Sequence, residues 1–284
     1  MTVRAGRTKK SRGSDAKVPR SIFDDVEEFA MPWKTRKPRV MGAISVCLLL
    51  GFTLTLSPSL ARAQSGGSDS ILASGQRARN RMNIQKLSQD INTVKSAIQK
   101  SHTFSDYVRL AVLEDYMCGV AHERKDNGLL KQSAQDGLNA AQAAIRLNPN
   151  AAEAHWLAGD LMGQLITVTF AGGMRYGPQA GSELEKALSL DPKSAAACVA
   201  RGVSYYFTPK MFGGSPTEAT TLLNKAISLE PNSDSANTAH IFLAMIYQQE
   251  GKHADALHEI SLARKQEPDR EFAQNIYRQV SLQK

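Results

Sequence analysis

The stretch "NKAISLEPNSDSA", Asn224 to Ala236, has three relatives in the same chain. "QAAIRLNPNAAEA" runs from Gln142 to Ala154, "EKALSLDPKSAAA" from Glu185 to Ala197, and a weaker copy, "SLARKQEPDREFA", from Ser261 to Ala273. Each places an alanine five residues before a proline. Working back from Pro149, Pro192, Pro231 and Pro268, a small residue stands at −12, an apolar or small one at −8, and alanine at −5. The sets are Gly137/Ala141/Ala144, Ala180/Leu184/Ala187, Ala219/Leu223/Ala226 and Ala256/Ile260/Ala263. Small residues at helical spacing let two helices approach closely, and a proline ends the helix that carries them.

A second helix precedes each of these. Its small eighth residue is Gly119, Gly159, Gly202 or Ala244, with Tyr205 and Tyr247 three residues on in the last two. From Ser105 to Lys284 the chain therefore resembles the tetratricopeptide repeat family. The resemblance implies an all-α, right-handed superhelical solenoid of antiparallel helix pairs, A and B, in about four repeats with capping helices. The prolines lie 43, 39 and 37 residues apart, more than the 34 of a standard unit. The excess is assigned to long A-to-B turns in the second and third repeats, "TVTFAGGMRYGPQAGS" and "TPKMFGGSPTE". Loops 165–179 and 207–216 should then lie side by side, with Phe170, Tyr176, Met211 and Phe212 partly packed together. In the fourth repeat the three extra residues fall before helix A. Residues 271–283 read as a polar-faced cap, and 77–101 as a further helix with Met82, Leu87, Ile91, Val94 and Ile98 on one side.

The net charge of +8 is unevenly spread. Residues 1–63 carry net +7 and residues 64–284 net +1, so no phosphate-tracking face is expected and nucleic acid is excluded as a partner. Lys34, Arg36, Lys37 and Arg39 precede an apolar run, Val40 to Leu56, and "ARAQ" follows. That is the order of a secretory signal peptide, here 31–63 and cut after Ala63. It places the mature chain in the periplasm or outside the cell. The alternative is an uncleaved inner-membrane anchor, the one route to a membrane. Residues 1–30 form a polar extension, with Met31 as an alternative start. Residues 64–76, rich in Ser and Gly, read as a flexible linker, leaving 77–284 as the repeat domain.

In this family the inner, concave face is lined by helix A positions two, five, nine and twelve. Counted from the eighth residue, the candidate groove residues are Tyr116, Val120, Trp156, Asp160, Val199, Val203, Tyr206, Ile241 and Met245. They form an apolar, partly aromatic stripe suited to a protein or peptide partner, or to a hydrophobic small ligand. The competing structure has the chain's own first helix or a folded-back loop covering the stripe. The Gly-Gly-Ser-Pro turn resembles the periplasmic T component of TRAP transporters. That implies a hydrophobic-ligand accessory as the alternative to an interaction scaffold. No basic residue stands at positions two, five, six or nine, so a carboxylate clamp is absent.

No enzymatic constellation stands out, and no cofactor or metal is expected. Cys118 and His122 share helical spacing, but two ligands are too few for a structural metal. His155 and His240 occupy a helix-packing position. Cys118 and Cys198 sit on helices separated by a whole repeat, on the order of 20 Å apart at 8–10 Å per helix layer. A disulfide spans less than about 7 Å between Cα atoms, so two free, buried thiols are expected.

Overall fold

The alanine and proline of the repeated stretch do one job four times. The computed structural model describes residues 68–169 and 171–282. In it, the residue before each proline (Asn148, Asp191, Glu230 or Glu267) leaves the helix. Its backbone N–H donates to the carbonyl of Ala144, Ala187, Ala226 or Ala263. Those four alanines are fully buried. Proline disfavours helical backbone in the residue before it, so the helix stops there. Three residues beyond each cap, the N–H of Ala151, Ser194, Ser233 or Arg270 donates back to the cap carbonyl at 3.1–3.2 Å. The closed turn launches the next helix, which the Ser194 and Ser233 hydroxyls cap by accepting from the N–H of Ala197 and Ala236.

The helices are α1 (Ser68–Asn80), α2 (Ile84–Ser101), α3 (Phe104–Glu123), α4 (Asn127–Leu147), α5 (Ala152–Val168), α6 (Gly172–Leu190), α7 (Ala195–Phe207), α8 (Pro216–Leu229), α9 (Asp234–Gln249), α10 (His253–Gln266) and α11 (Glu271–Leu282). No strand occurs among the described residues. The pairs α3/α4, α5/α6, α7/α8 and α9/α10 are the four repeats. Each A helix touches the next A helix, and each B helix touches the A helix that follows. The A helices α3, α5, α7 and α9 thus form the inner layer. In α5, a Cβ on Gly159 would sit 2.6 Å from Leu184 Cγ, and in α7 one on Gly202 would sit 3.1 Å from Leu223 Cγ. These are the close approaches expected at the eighth position. Buried residues gather in two clusters, a front one from Ala78 to Ala180 and a back one from Ala195 to Ile246. Helix α11 caps the array through Ala273, Ile276 and Val280, all buried.

Several expectations need correcting. Residues 68–76 of the expected linker are helical, as most of α1. The helix read over 77–101 is broken at 81–83, where Met82 takes φ 55°. In the second repeat the extra residues lengthen the helices instead of the turn: α6 has 19 residues against 14 in α8 and α10. Most of 165–179 is therefore not loop. Tyr176 is buried in the front cluster, whereas Met211 and Phe212 are exposed; Phe170 lies outside the described residues. The third repeat does have the long turn, containing a short 3-10 segment, Lys210–Phe212. Its glycine pair is needed: Gly213 has φ 93°, and a Cβ on Gly214 would lie 1.6 Å from the Thr208 carbonyl oxygen. The first-repeat register also shifts. Gly119 is exposed with open space where a Cβ would go, whereas a Cβ on Gly137 would meet Glu114 Cβ at 3.0 Å. The α3/α4 hairpin is longer than the others, with α4 at 21 residues, and its close approach falls further from the turn.

Cys118 and Cys198 are free and fully buried. The expectations for residues 1–63 lie outside the described residues. No helix among the described residues is long and apolar enough to cross a membrane.

Candidate functional site

The inner layer is not empty, because α1 lies on it. At its middle, a Cβ on Gly75 would stand 2.3 Å from Leu113 Cδ2, 3.4 Å from Tyr116 Cδ2 and 3.5 Å from Leu87 Cδ1. Glycine lets α1 sit this close to α3 without displacing the buried Leu113 side chain. One turn on, the Arg79 guanidinium lies over the Tyr116 ring, 4.7 Å from its centroid. It also reaches across to the fourth repeat. Nη2 and Nη1 donate to the two carboxylate oxygens of Asp234 at 2.6 and 3.0 Å, and Nη2 lies 3.4 Å from Glu267. Gln76 and Asn80 donate to Glu267 at 2.8 and 3.1 Å, and Arg81 pairs with Asp269 at 2.7 Å. Arg270 completes the cluster, 2.7 Å from Asn237 Oδ1 and 3.4 Å from Asp234. Asn275 of α11 donates to Glu123 at the end of α3. The first repeat and the last are thereby tied together, with α1 bridging them.

The fourth repeat's insertion has a visible use here. Helix α9 starts ten residues before its close-packing Ala244, whereas α5 and α7 start seven before theirs. The residue three past the proline is alanine in the second and third repeats, Ala152 and Ala195, but Asp234 in the fourth.

The electrostatics follow from burial. Burial alone would raise the Asp234 carboxyl, but Arg79 and Arg270 outweigh it and hold Asp234 well below the usual carboxylate range. Arg270 falls to about 10, from burial first and then from Arg79 beside it. Burial likewise raises the Tyr116 phenol. Nearby on the same face, Asp115 of α3 and Asp160 of α5 interact through their side chains. Burial raises both carboxyls, and the Asp160 charge drives Asp115 higher, so the pair retains a proton above the usual carboxylate range.

The repeat architecture has solved counterparts. The tetratricopeptide protein TTC0263 from Thermus thermophilus is similar at TM-score 0.55 and 18% identity, covering 76% of this chain and 99% of that one. The fold is tetratricopeptide-like. At a TM-score of 0.39, MamA from Desulfovibrio magneticus RS-1 is 14% identical over 72% of this chain and 98% of its own. YrrB, a tetratricopeptide protein with an unusual peptide-binding site, is 12% identical over 73% of this chain and 97% of its own, also at 0.39. No family model and no curated protein matches the sequence.

On this tetratricopeptide-like frame the nine expected groove residues divide. Val120, Val199, Ile241 and Met245 are buried, so they form interior and not an open lining. Tyr116, Trp156, Asp160, Val203 and Tyr206 remain half-buried. Tyr116 is covered by Arg79, and Trp156 packs against the front cluster. Tyr206 instead joins an aromatic run, 4.8 Å from Phe207 and 6.4 Å from Phe242, with Phe242 6.2 Å from Phe272. Of the other candidates, His155 bonds Glu183 at 2.5 Å and the Pro149 carbonyl at 2.9 Å, and His240 bonds Glu259 at 2.6 Å. Both histidines are structural pins between helices A and B. Cys118 is buried while His122 is exposed, so they do not face one site. No group of three metal-ligating side chains occurs among the described residues. A pocket of about 220 Å³ beside the α1–α2 turn is lined by Ser74, Arg77, Ala78, Arg81, Asn83 and Lys86. It is smaller than the roughly 300–1,000 Å³ of typical small-molecule sites.

Proposed function

We propose that this protein is an interaction scaffold that seats a helical segment of a protein partner on its inner face. One observation carries this: that face already accepts a helix, α1, through a close-packed glycine, an arginine over an aromatic ring and a two-pronged ion pair. Helix-in-groove recognition uses the same elements. The half-buried Tyr206, Phe242 and Phe272 extend the aromatic lining beyond α1. The setting is the periplasm or cell exterior, supported by the basic, apolar and small-residue order of 31–63. N-terminal sequencing of the mature protein should begin at Gln64. To test the scaffold role, a photo-crosslinking residue is placed at Tyr206 and, as a control, at the exposed outer residue Lys186. Discrete protein adducts are expected from the first position alone. Equal adducts from both would contradict an inner-face scaffold.

A further inference from the structure

Helix α1 buries few large apolar side chains against the inner layer. Gly75, Ala78 and Asn80 are buried, while Ile71 and Leu72 are only partly covered. By contrast α2, next in the chain, buries Leu87, Ile91 and Val94. Its link to the fourth repeat and the α10–α11 turn is polar: Arg79, Gln76, Asn80 and Arg81 against Asp234, Glu267 and Asp269. It joins α2 through three residues, one of them Met82 at φ 55°. Lifting α1 would leave Asp234 and Glu267, with Asp115 and Asp160 nearby, facing Arg270. Arg270 alone would then face both carboxylates, at 3.4 Å from Asp234 and 3.8 Å from Glu267, so the emptied floor keeps an excess of negative charge that favours a cation in the vacated seat. The preference is specific. Arg79 meets both oxygens of Asp234 with two nitrogens while its plane covers Tyr116. A planar guanidinium can do both, and an ammonium cannot. Four residues before the arginine, any side chain larger than hydrogen must displace the Leu113 methyl that a Cβ would meet at 2.3 Å, which favours a small residue there.

We infer that α1 is a displaceable resident ligand, and that the partner replacing it is a helix of another protein carrying a small residue four positions before an arginine. That arginine takes the Arg79 seat on Asp234, Glu267 and Tyr116. The inference rests on the scaffold reading above and specifies its partner. The carboxylate floor supplies the charge complementarity, and the α1 sequence supplies the shape.

The test uses full-length chains opened in two ways, Arg79→Met and Gly75→Val, with opening read by hydrogen exchange across residues 70–80. The probe is a fluorescein-labelled peptide of residues 68–82, followed by anisotropy. The opened chains should bind it and the wild type should not. A peptide with Arg79→Lys, or a Gly75→Val chain also carrying Asp234→Asn, should bind roughly ten- to hundredfold more weakly, the range for losing a charged hydrogen bond. Three results would overturn the inference: α1 staying protected in both variants, opened chains ignoring the peptide, or arginine and lysine peptides binding alike. A wild-type dimer formed by exchange of α1 would also overturn it, by making the occupant a second copy of this chain. Retained Tyr206 crosslinks alongside any of these would show that the scaffold role survives and only the partner's chemistry is wrong.

Discussion

The front and back of the array use one repeat to different ends. In the front, α3 turns its inner side to α1, so Leu113 and Tyr116 are packed under Gly75 and Arg79. In the back, α7 leaves Val203 and Tyr206 half-buried, with Phe207 45% exposed, and an aromatic run continues to Phe242 and Phe272. The difference does not come from the repeat's register. It comes from a helix outside the repeats and from one charged residue, Asp234, placed to catch it. A groove position in this protein is interior or surface according to what lies over it.

The two buried thiols report on the two regions separately, since Cys118 belongs to the front cluster and Cys198 to the back one. Burial raises both thiols, Cys118 well above its usual value, so each should resist alkylation until its region opens. The largest expected effect is a core truncation in the back. Leu223→Ala should cost about 2–5 kcal/mol and speed the labelling of Cys198 more than that of Cys118, because solenoid repeats couple chiefly to their neighbours. Equal acceleration at both thiols would merge the two regions into one. Next comes Arg79→Met, expected to cost about 2–3 kcal/mol, less than the roughly 3–5 of a fully buried pair because Asp234 keeps some solvent and Arg270. Urea denaturation followed at both thiols should show the loss at the front.

The acid pair gives a pH-dependent contrast. Asp115 and Asp160 are raised in the folded chain, so their contribution is present at low pH and fades as pH rises through their raised values. Asp234 is depressed, so its contribution is present above the ordinary carboxylate range and is lost as pH falls toward its folded value. Asp160→Asn keeps a hydrogen-bonding side chain and removes one charge. It should raise the urea midpoint at neutral pH and flatten the decline that sets in as pH rises above the ordinary carboxylate range. An unchanged decline would place its source elsewhere. The smallest effect expected is Arg201→Ala. This removes a guanidinium 4.2 Å from the Tyr205 ring centroid and an ion pair to Glu185, whose side chain is 69% exposed. It should cost less than about 1 kcal/mol.

The repeat was legible because it rests on local rules. Pre-proline sterics, a buried alanine and a small residue facing a leucine are all written in short windows, so the second, third and fourth pairs and the two free cysteines follow from spacing. What escaped was non-local. Gly66, Gly67 and Gly75 gave 64–76 the composition of a linker, yet Gly75 serves as a close-packing residue in a helix. Arg79 and Asp234 stand 155 positions apart, so nothing in either neighbourhood announces the pair. The three extra residues before α9 were visible in the spacing, but their use appears only with α1 in place. In the first repeat, Gly119 mimicked an eighth position because the hairpin is longer than its siblings. Val120, Val199, Ile241 and Met245 looked like groove lining because family register marks a nominal direction, whereas in this chain those side chains are buried in the interior.

The central claim is that α1 is docked on the inner layer in the intact protein. Hydrogen exchange of the α1 amides in the wild-type chain tests it most directly. The account predicts that residues 72–80 exchange far more slowly than the exposed turn at 208–215, and that Arg79→Met abolishes this protection while leaving α9 protected. Exchange of 72–80 at the rate of a free peptide in the wild-type chain would contradict it.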